Sequence, residues 1–423
     1  MNVRAYLRSL EQFGIKLGLD QIRALVEHLG RPHEEFRSIV VAGTNGKGSV
    51  TAMIERALRE AGYRTGRYIS PHLVALEERF AVNGRAVDGG VLDRALGHVR
   101  DAAESLLHPP SYFEVTTAAA LDLFRDEEVE IAVLEVGLGG RLDATNVVTP
   151  VGVAITAIDF DHEAHLGNTL EQIAAEKAGV IKRGTFAVLG ANPASVQDVV
   201  RRTASSAGAR VVYAPAGVTA DVVMTRGQAR GTFTTPRGRH ADVRLALRGR
   251  HQVDNAVTAL RFLEELSAHG LAPVPDDAIR AGLTDVEWPA RLELVEWRGG
   301  EVLIDGAHNP AGARALAAYV QETYAKRVPF VIGIMKDKDV RGILDAIAPV
   351  ASQVIFTAAS SDRAARAETL QAEAAALHPD LACDVIARPI DAVAAAMDRG
   401  RPVVVAGSLY LAGEVREGVR SPR

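Results

Sequence analysis

The sequence is poor in cysteine: Cys383 is alone among 423 residues. A single thiol excludes an intrachain disulfide and any cysteine-based metal cluster, so the chain needs no oxidising compartment. Long apolar runs are missing too, since no stretch approaches the roughly 18 uninterrupted apolar residues of a membrane-spanning helix. The first ten residues carry two arginines and no apolar core of the kind a secretion signal has. There is no basic excess. At a formal net charge of −5 nothing global would hold a nucleic-acid backbone, and a small anionic substrate has to find its positive charge locally. No internal repeat of fixed period is visible, and no Ser-His-Asp set offers a nucleophile. These absences leave a soluble protein of the cytoplasm as the expectation.

What is present fits a globular chain of two or three domains, with 48% hydrophobic and 24% charged residues. Short runs rich in Val and Ile recur at 38–42, 131–136, 151–155, 186–189, 302–304, 330–334, 354–356 and 403–405. They hardly alternate, which is how strands buried on both faces read. Helical patterns such as 49–61 and 313–324 lie between them. Strand alternating with helix implies an α/β protein whose mostly parallel, doubly wound sheet collects ligands at its carboxyl edge. The polar segment 225–244 reads as loops and short antiparallel strands on the edge of the first domain. Pro289 ends a helix, and strand–helix alternation restarts after Gly299-Gly300. The expected division is a domain over 1–285, a linker over 286–298 and a smaller domain over 299–423.

The strongest motif is Val41-Ala42-Gly43-Thr44-Asn45-Gly46-Lys47-Gly48-Ser49, between a buried strand and an amphipathic helix. Three glycines let the backbone bend its N–H groups toward phosphate oxygens, the helix N-terminus adds partial positive charge, and Lys47 reaches the β- and γ-phosphates. Val41 and Gly48 depart from the usual GxxxxGK[ST] pattern; the plainer alternative is a Gly-rich turn with a solvated lysine. Glu135 closes an apolar strand, a costly place for an acid unless it is paired with Arg141 or binds Mg²⁺. Asp159-Phe160-Asp161-His162 follows another strand, and His162 suits either a metal or a structural role. By pattern Lys177 sits on an ordinary helix face, as a solvated lysine. Asp305, at a strand end before His308, suits a ribose hydroxyl or an Asx turn. Arg291, before the second domain, suits a ligand or the bare surface.

Taken together these motifs resemble the folylpolyglutamate synthase family, with its bifunctional dihydrofolate synthases, within the Mur ligases. The likeness runs from Leu17-Gly18-Leu19-Asp20 to Gly407-Ser408-Leu409-Tyr410, through Ser70-Pro71-His72-Leu73, Tyr112-Phe113-Glu114, Glu176-Lys177-Ala178-Gly179 and Met335-Lys336-Asp337-Lys338-Asp339. It accounts for the Lys-Gly-Ser form of the loop. It implies a P-loop ATPase domain joined to a smaller Rossmann-like C-terminal α/β domain that acts as the glutamate ligase. It further implies that Thr44, Asn45, Gly46, Lys47, Gly48 and Ser49 hold ATP, with Asn255, Arg291 and Asp305 contacting the nucleotide. Ser70, Glu135 and His162 would bind Mg²⁺. Lys177 would carry a CO₂-derived carbamate for a second metal ion. Ser111, Tyr112, Phe113, Glu114, Leu142, Asp143 and Ala144 fall where the family holds pteroate, and His308 and Ser408 are candidates for the incoming glutamate.

The implied activity is ATP-dependent ligation of L-glutamate to folates through an acyl phosphate, with 7,8-dihydropteroate as a second acceptor. The partners are small molecules only, and the implied state is a monomer. A UDP-muramyl-peptide ligase of the same fold is the nearest alternative; Gly48, the Ser70-Pro71-His72-Leu73 loop and the two-domain length speak for the folate reading. A nucleotide-dependent switch without ligase chemistry would have no use for Arg291, Asp305 and His308 in a second domain.

Overall fold

In the computed structural model, which describes residues 2–11, 14 and 16–420, the chain divides into two compact units. The first comprises the described residues through Asp221 with Gly231–Val243 and Asp254–Val286; the second comprises Val222–Arg230, Arg244–Val253 and 287 onward. The first unit is built on β1 (Arg37–Ala42), β2 (Thr65–Tyr68), β3 (Phe80–Val82), β4 (Arg85–Ala86), β5 (Ile131–Glu135), β6 (Gly152–Ile155), β7 (Phe186–Leu189) and β8 (Arg210–Tyr213). Their order in one sheet is β4-β3-β2-β5-β1-β6-β7-β8. The six strands from β2 to β8 pair in parallel, and β3 and β4 add an antiparallel edge.

The core strands earn their place by burial. In β5, β6 and β7 all residues are buried, which explains the unbroken apolar runs. Helices Lys47–Glu60, Gly89–Ala103, Tyr112–Asp126, Leu170–Ala178 and Ala194–Ala207 form between the strands. Phe124 shows how tightly they pack. It is fully buried on β2, where a side chain at Gly66 would meet its ring at 3.0 Å; replacing such a ring by Ala costs about 3–5 kcal/mol. Helix Asp276–Thr284 presses on helix Lys47–Glu60 just as closely, because a Cβ at Gly282 would lie 2.6 Å from the Met53 carbonyl oxygen.

The segment expected on the edge of the first domain forms its own sheet, ordered β11-β10-β9, from β9 (Thr219–Thr225), β10 (Gln228–Thr234) and β11 (Arg239–Arg244). Exposure alternates along β9, as for strands with one wet face. Its residues are shared between the two units, so the first unit is not one unbroken stretch.

The second unit contains β12 (Glu293–Trp297), β13 (Gly300–Ile304), β14 (Val328–Ile332), β15 (Ala351–Phe356), β16 (Cys383–Val385) and β17 (Val403–Ala406), ordered β12-β13-β17-β14-β15-β16. All pairs are parallel except β12/β13. The linker expected over 286–298 is therefore structured as edge strand β12 from Glu293. Its two-residue turn, Arg298-Gly299, has φ of 48° and 69°, the hairpin conformation that matches strand twist. The alternation expected after Gly299-Gly300 does begin there, with β13 and helix Pro310–Thr323, and β12 precedes it as the hairpin partner.

Candidate active site

At the end of β1 the chain turns sharply. Gly43 has φ 141°, and a Cβ there would sit 1.9 Å from Thr156 Oγ1, so glycine is required. The loop is pinned to the end of β6: the N–H groups of Thr44 and Asn45 donate to the Ala157 carbonyl at 2.9 and 3.2 Å. The Thr44 hydroxyl donates to the Asp159 carbonyl (3.0 Å) and accepts from the Asp159 N–H (3.1 Å). Gly46 follows with φ 91°, and a Cβ on it would meet Asn255 Oδ1 at 2.3 Å. That contact brings Asn255, buried on helix His251–Ala268, against the loop. Helix Lys47–Glu60 then starts from Gly46 with no side-chain cap. Its first-turn N–H groups and partial positive charge face the loop, an arrangement suited to phosphate.

Two lysines converge here. Lys47 Nζ donates to the Thr44 carbonyl (3.2 Å), and Lys177 Nζ donates to the Gly43 carbonyl (2.8 Å). Lys177, on helix Leu170–Ala178, is only 5% exposed, so the solvated lysine expected from its pattern is overturned. Burial first, and then the charge of Lys47, lower it to about 7, against the opposing pull of Asp161 and Asp143. Near neutral pH a large share of Lys177 is therefore a free amine. The two amines and the first-turn N–H groups of helix Lys47–Glu60 are donors arranged to receive an anion.

Parallel pairing puts the ends of β2, β5 and β6 on the same edge as this loop. Glu135 closes β5 beside Val41 of β1 and is buried at 6% exposure. Arg141, its alternative partner from the sequence, instead pairs with Glu176 at 2.8 Å. Ser70 follows β2, half-buried, with a cis bond to Pro71. His162 follows β6 in the left-handed region, φ 52°, a conformation uncommon for a residue with a Cβ. Its N–H donates to Asp161 Oδ1 at 2.9 Å, and its Nε2 lies 3.8 Å from the same oxygen. A hydroxyl and a carboxylate are hard oxygen donors of the kind Mg²⁺ accepts when phosphate and water complete its shell, and the imidazole adds a borderline nitrogen donor.

The aromatic side of this edge is formed by helix Tyr112–Asp126. Ser111 caps it, and the Glu114 carboxylate accepts from the Ser111 N–H and hydroxyl, both at 2.7 Å. Glu114 thus shapes the turn, and Tyr112 and Phe113 are left to present surface. Phe113 lies 6.0 Å from the Tyr68 ring, and a Cβ at Gly137 would meet its edge at 2.5 Å. Asp143 is likewise committed, accepting from Leu138 N–H (2.8 Å) and from the Thr145 N–H (3.0 Å) and hydroxyl (2.5 Å). Burial nevertheless raises its pKa, against those hydrogen bonds. Leu142 and Ala144 flank it, and the Leu142 carbonyl accepts from the Gly18 N–H (3.4 Å). Contacts of Gly18, Glu78 and Arg79 were not read from the sequence, where nothing but a turn signal marks them.

In the second unit β13 ends at Asp305. Its carboxylate accepts from the N–H groups of Leu292 and Ala307, both 2.8 Å, and burial raises its pKa while Arg291 lowers it. The Ala307 bond is the Asx-type contact weighed from sequence. Helix Pro310–Thr323, however, is capped by Asn309. Arg291 is half-buried, not a bare surface residue: it donates to the Ala290 carbonyl (2.8 Å) and packs where a Cβ on Gly306 would meet it at 2.5 Å. His308 Nδ1 lies 2.7 Å from the Gly306 carbonyl, which fixes its ring. Ser408, buried after β17, accepts from the Leu411 N–H at 3.1 Å. Within each unit the sequence candidates cluster at the carboxyl edge of its sheet.

Residues 41–263 match the Mur ligase middle domain family, and residues 290–409 match the Mur ligase, glutamate ligase domain. A Bacillus subtilis dihydrofolate synthase/folylpolyglutamate synthase is 32% identical, covering 99% of both chains. Among solved structures, a Mycobacterium tuberculosis folylpolyglutamate synthase complexed with ADP is 34% identical, with TM-score 0.90 over 100% of both chains. An Escherichia coli protein in complex with DHPP and ADP is 30% identical, with TM-score 0.88 over 99% of this chain and 98% of that one.

Proposed function

Because the chain belongs to the folylpolyglutamate synthase/dihydrofolate synthase family of Mur ligases, we propose that it joins L-glutamate to folates in an ATP-dependent ligation, and to 7,8-dihydropteroate as well. The observation that carries this reading is the pair of lysines on one phosphate loop, with Lys177 Nζ 2.8 Å from the carbonyl of the residue that bends it. In this reading Thr44, Asn45, Gly46, Lys47, Gly48 and Ser49 cradle the ATP phosphates, and Asn255 lines the loop at Gly46. In the second unit Arg291 and Asp305 serve the nucleotide, and His308 and Ser408 serve glutamate. Ser70, Glu135 and His162 would hold Mg²⁺, which when bound neutralises phosphate oxygens and orients the γ-phosphate. Tyr112 and Phe113, with Leu142 and Ala144, form the pteroate surface, and Ser111, Glu114 and Asp143 set its shape. The region through 285 is the ATP-binding domain and the region after the 286–298 connection the glutamate ligase domain, in keeping with the two family matches.

A carboxylate oxygen of the acceptor attacks the γ-phosphorus, the bond to the ADP oxygen breaks, and an acyl phosphate forms. The amine of glutamate then attacks the acyl carbon, loses a proton, and inorganic phosphate leaves with the original carboxylate oxygen. Positioning and charge neutralisation dominate such transfers. Lys47 and the N-terminus of its helix face charge that develops on the phosphates. Lys177, as a free amine, is set to take up CO₂: the nitrogen bonds to carbon, one C=O electron pair moves to oxygen, and a proton leaves to solvent. The product carbamate would turn a buried amine into an anion able to ligate a second Mg²⁺. The reading extends to a monomer in the cytoplasm; among the described residues no helix is long and apolar enough to cross a membrane.

The test is phosphate release with MgATP and L-glutamate, run in parallel with 7,8-dihydropteroate, tetrahydrofolate and a UDP-muramyl peptide. Glutamate-dependent turnover with both pterins is expected. Turnover with tetrahydrofolate alone would remove the dihydropteroate activity, and turnover with the muramyl peptide alone would overturn the substrate assignment.

A further inference from the structure

Arg79 ends the short turn Leu76–Arg79 and is only 7% exposed. Its carbonyl accepts from the Ile69 N–H (3.1 Å), which ties it to the Ser70 loop. Its Nε donates to His72 Nδ1 at 2.9 Å. The imidazole nitrogen serves there as an acceptor and brings no negative charge. The guanidinium carbon sits 5.3 Å from the centroid of Tyr112, a cation–π contact. The acids around it are engaged elsewhere. Glu78 accepts from the N–H groups of Leu73 (2.8 Å), Val74 (3.2 Å) and Ala75 (3.1 Å). Asp143 is held by Leu138 and Thr145. Among the described residues the guanidinium thus has an imidazole and an aromatic face as partners, and no carboxylate.

A buried guanidinium without an anion is costly, and its planar fork matches the two oxygens of a carboxylate. The N-terminus of helix Tyr112–Asp126 adds positive potential at the same place. A folate already bearing one glutamate offers two carboxylates, and only one is to react. The α-carboxylate hangs on the shorter arm, next to the aromatic ring system that Tyr112 and Phe113 would cover. The other carboxylate, two methylenes further out, can pass on toward the phosphate loop. We propose that Arg79 grips the non-reacting α-carboxylate of the glutamyl residue on the bound folate and so decides which carboxylate is presented for phosphorylation. This rests on the ligase reading above. Arg79 is a specificity residue in this account, and dihydropteroate, with its single carboxylate, does not depend on it for orientation.

The test is calorimetric binding of folic acid and of its α-carboxamide, in the presence of MgADP, to the wild-type protein, Arg79→Gln and Arg79→Lys. The wild type is expected to prefer the acid by about tenfold or more, the size of a charge-assisted hydrogen bond. Arg79→Gln should bind acid and amide alike, and Arg79→Lys should keep part of the preference, which covers the case that the glutamine variant fails to fold. Equal binding of acid and amide by the wild type would overturn the proposal, as would an undiminished preference in both variants. Phosphate release by the wild type with tetrahydrofolate reads the ligase assignment separately. Failure there, with the acid preference intact and lost in the variants, would sink the ligation reading and leave the Arg79 carboxylate site standing.

Discussion

The carboxyl edges of the two sheets solve opposite electrostatic problems. In the first unit Lys47 and Lys177 lean on the carbonyls of Thr44 and Gly43, so positive charge gathers with neutral partners. In the second, the Asp305 carboxylate is satisfied by two backbone N–H groups and lies near Arg291. The lysines of the first edge have no carboxylate bonded to them, whereas the carboxylate of the second is already held by the chain itself. Binding energy from a triphosphate can therefore be used at the first edge without first breaking an ion pair of either lysine. Substitutions at the two edges should separate accordingly: the lysines of the first in activity alone, Asp305 of the second in stability as well.

The largest expected effect is at the loop. Lys47→Ala should lower turnover by on the order of a thousandfold with an unchanged circular dichroism spectrum and little change in melting temperature, because its head group packs on a loop carbonyl and not in the core. Near-normal phosphate release in this variant would remove the loop from the mechanism. Lys177→Ala should also lose most turnover, and short carboxylates such as acetate should restore a part; full activity without rescue would rule out the carbamate. At neutral pH the same variant should melt no lower than wild type, since it removes a buried amine whose charge folding disfavours.

At the second edge, Asp305→Ala should destabilise the protein by roughly 1–3 kcal/mol by leaving the Leu292 and Ala307 N–H groups unpaired, a shift visible in urea titration. A variant as stable as wild type would show those bonds to be expendable. The smallest effect is in pH. Lys177 has a folded value of about 7, below its ordinary 10.5. Between those values the unfolded chain binds more protons, so stability from this group rises with pH across that window and is flat below it. Comparing wild type with Lys177→Ala by denaturation at several pH values between 7 and 10 isolates the slope; its absence would place Lys177 in a wetter environment.

Much of this was legible beforehand, for physical reasons. β1, β5, β6 and β7 are buried on both faces and had to be continuous apolar runs, and the loop after β1 carries its glycines where Thr156 and Asn255 crowd the backbone. β2 escaped notice because Thr65-Gly66-Arg67-Tyr68 has no apolar run: Gly66 makes room for Phe124, and Arg67 reaches the charge of buried Glu55. Lys177 misled for another reason. Its helix face looks solvated, and only a contact 134 positions away, to Gly43, buries it. Asn255 and Ser70 carry no local signal, and only the family resemblance pointed to them. β12 lay hidden in the expected linker because Glu293 and Glu296 interrupt its apolar residues.

The most direct test of the central claim, that the first edge activates a carboxylate by phosphoryl transfer, follows the oxygen. Acceptor labelled with ¹⁸O in its reacting carboxylate is turned over with MgATP and L-glutamate, and the phosphate released is analysed by mass spectrometry. The account predicts one ¹⁸O in each phosphate formed, carried from the acyl phosphate when the amide bond closes. Phosphate free of label alongside glutamate-dependent product would contradict it.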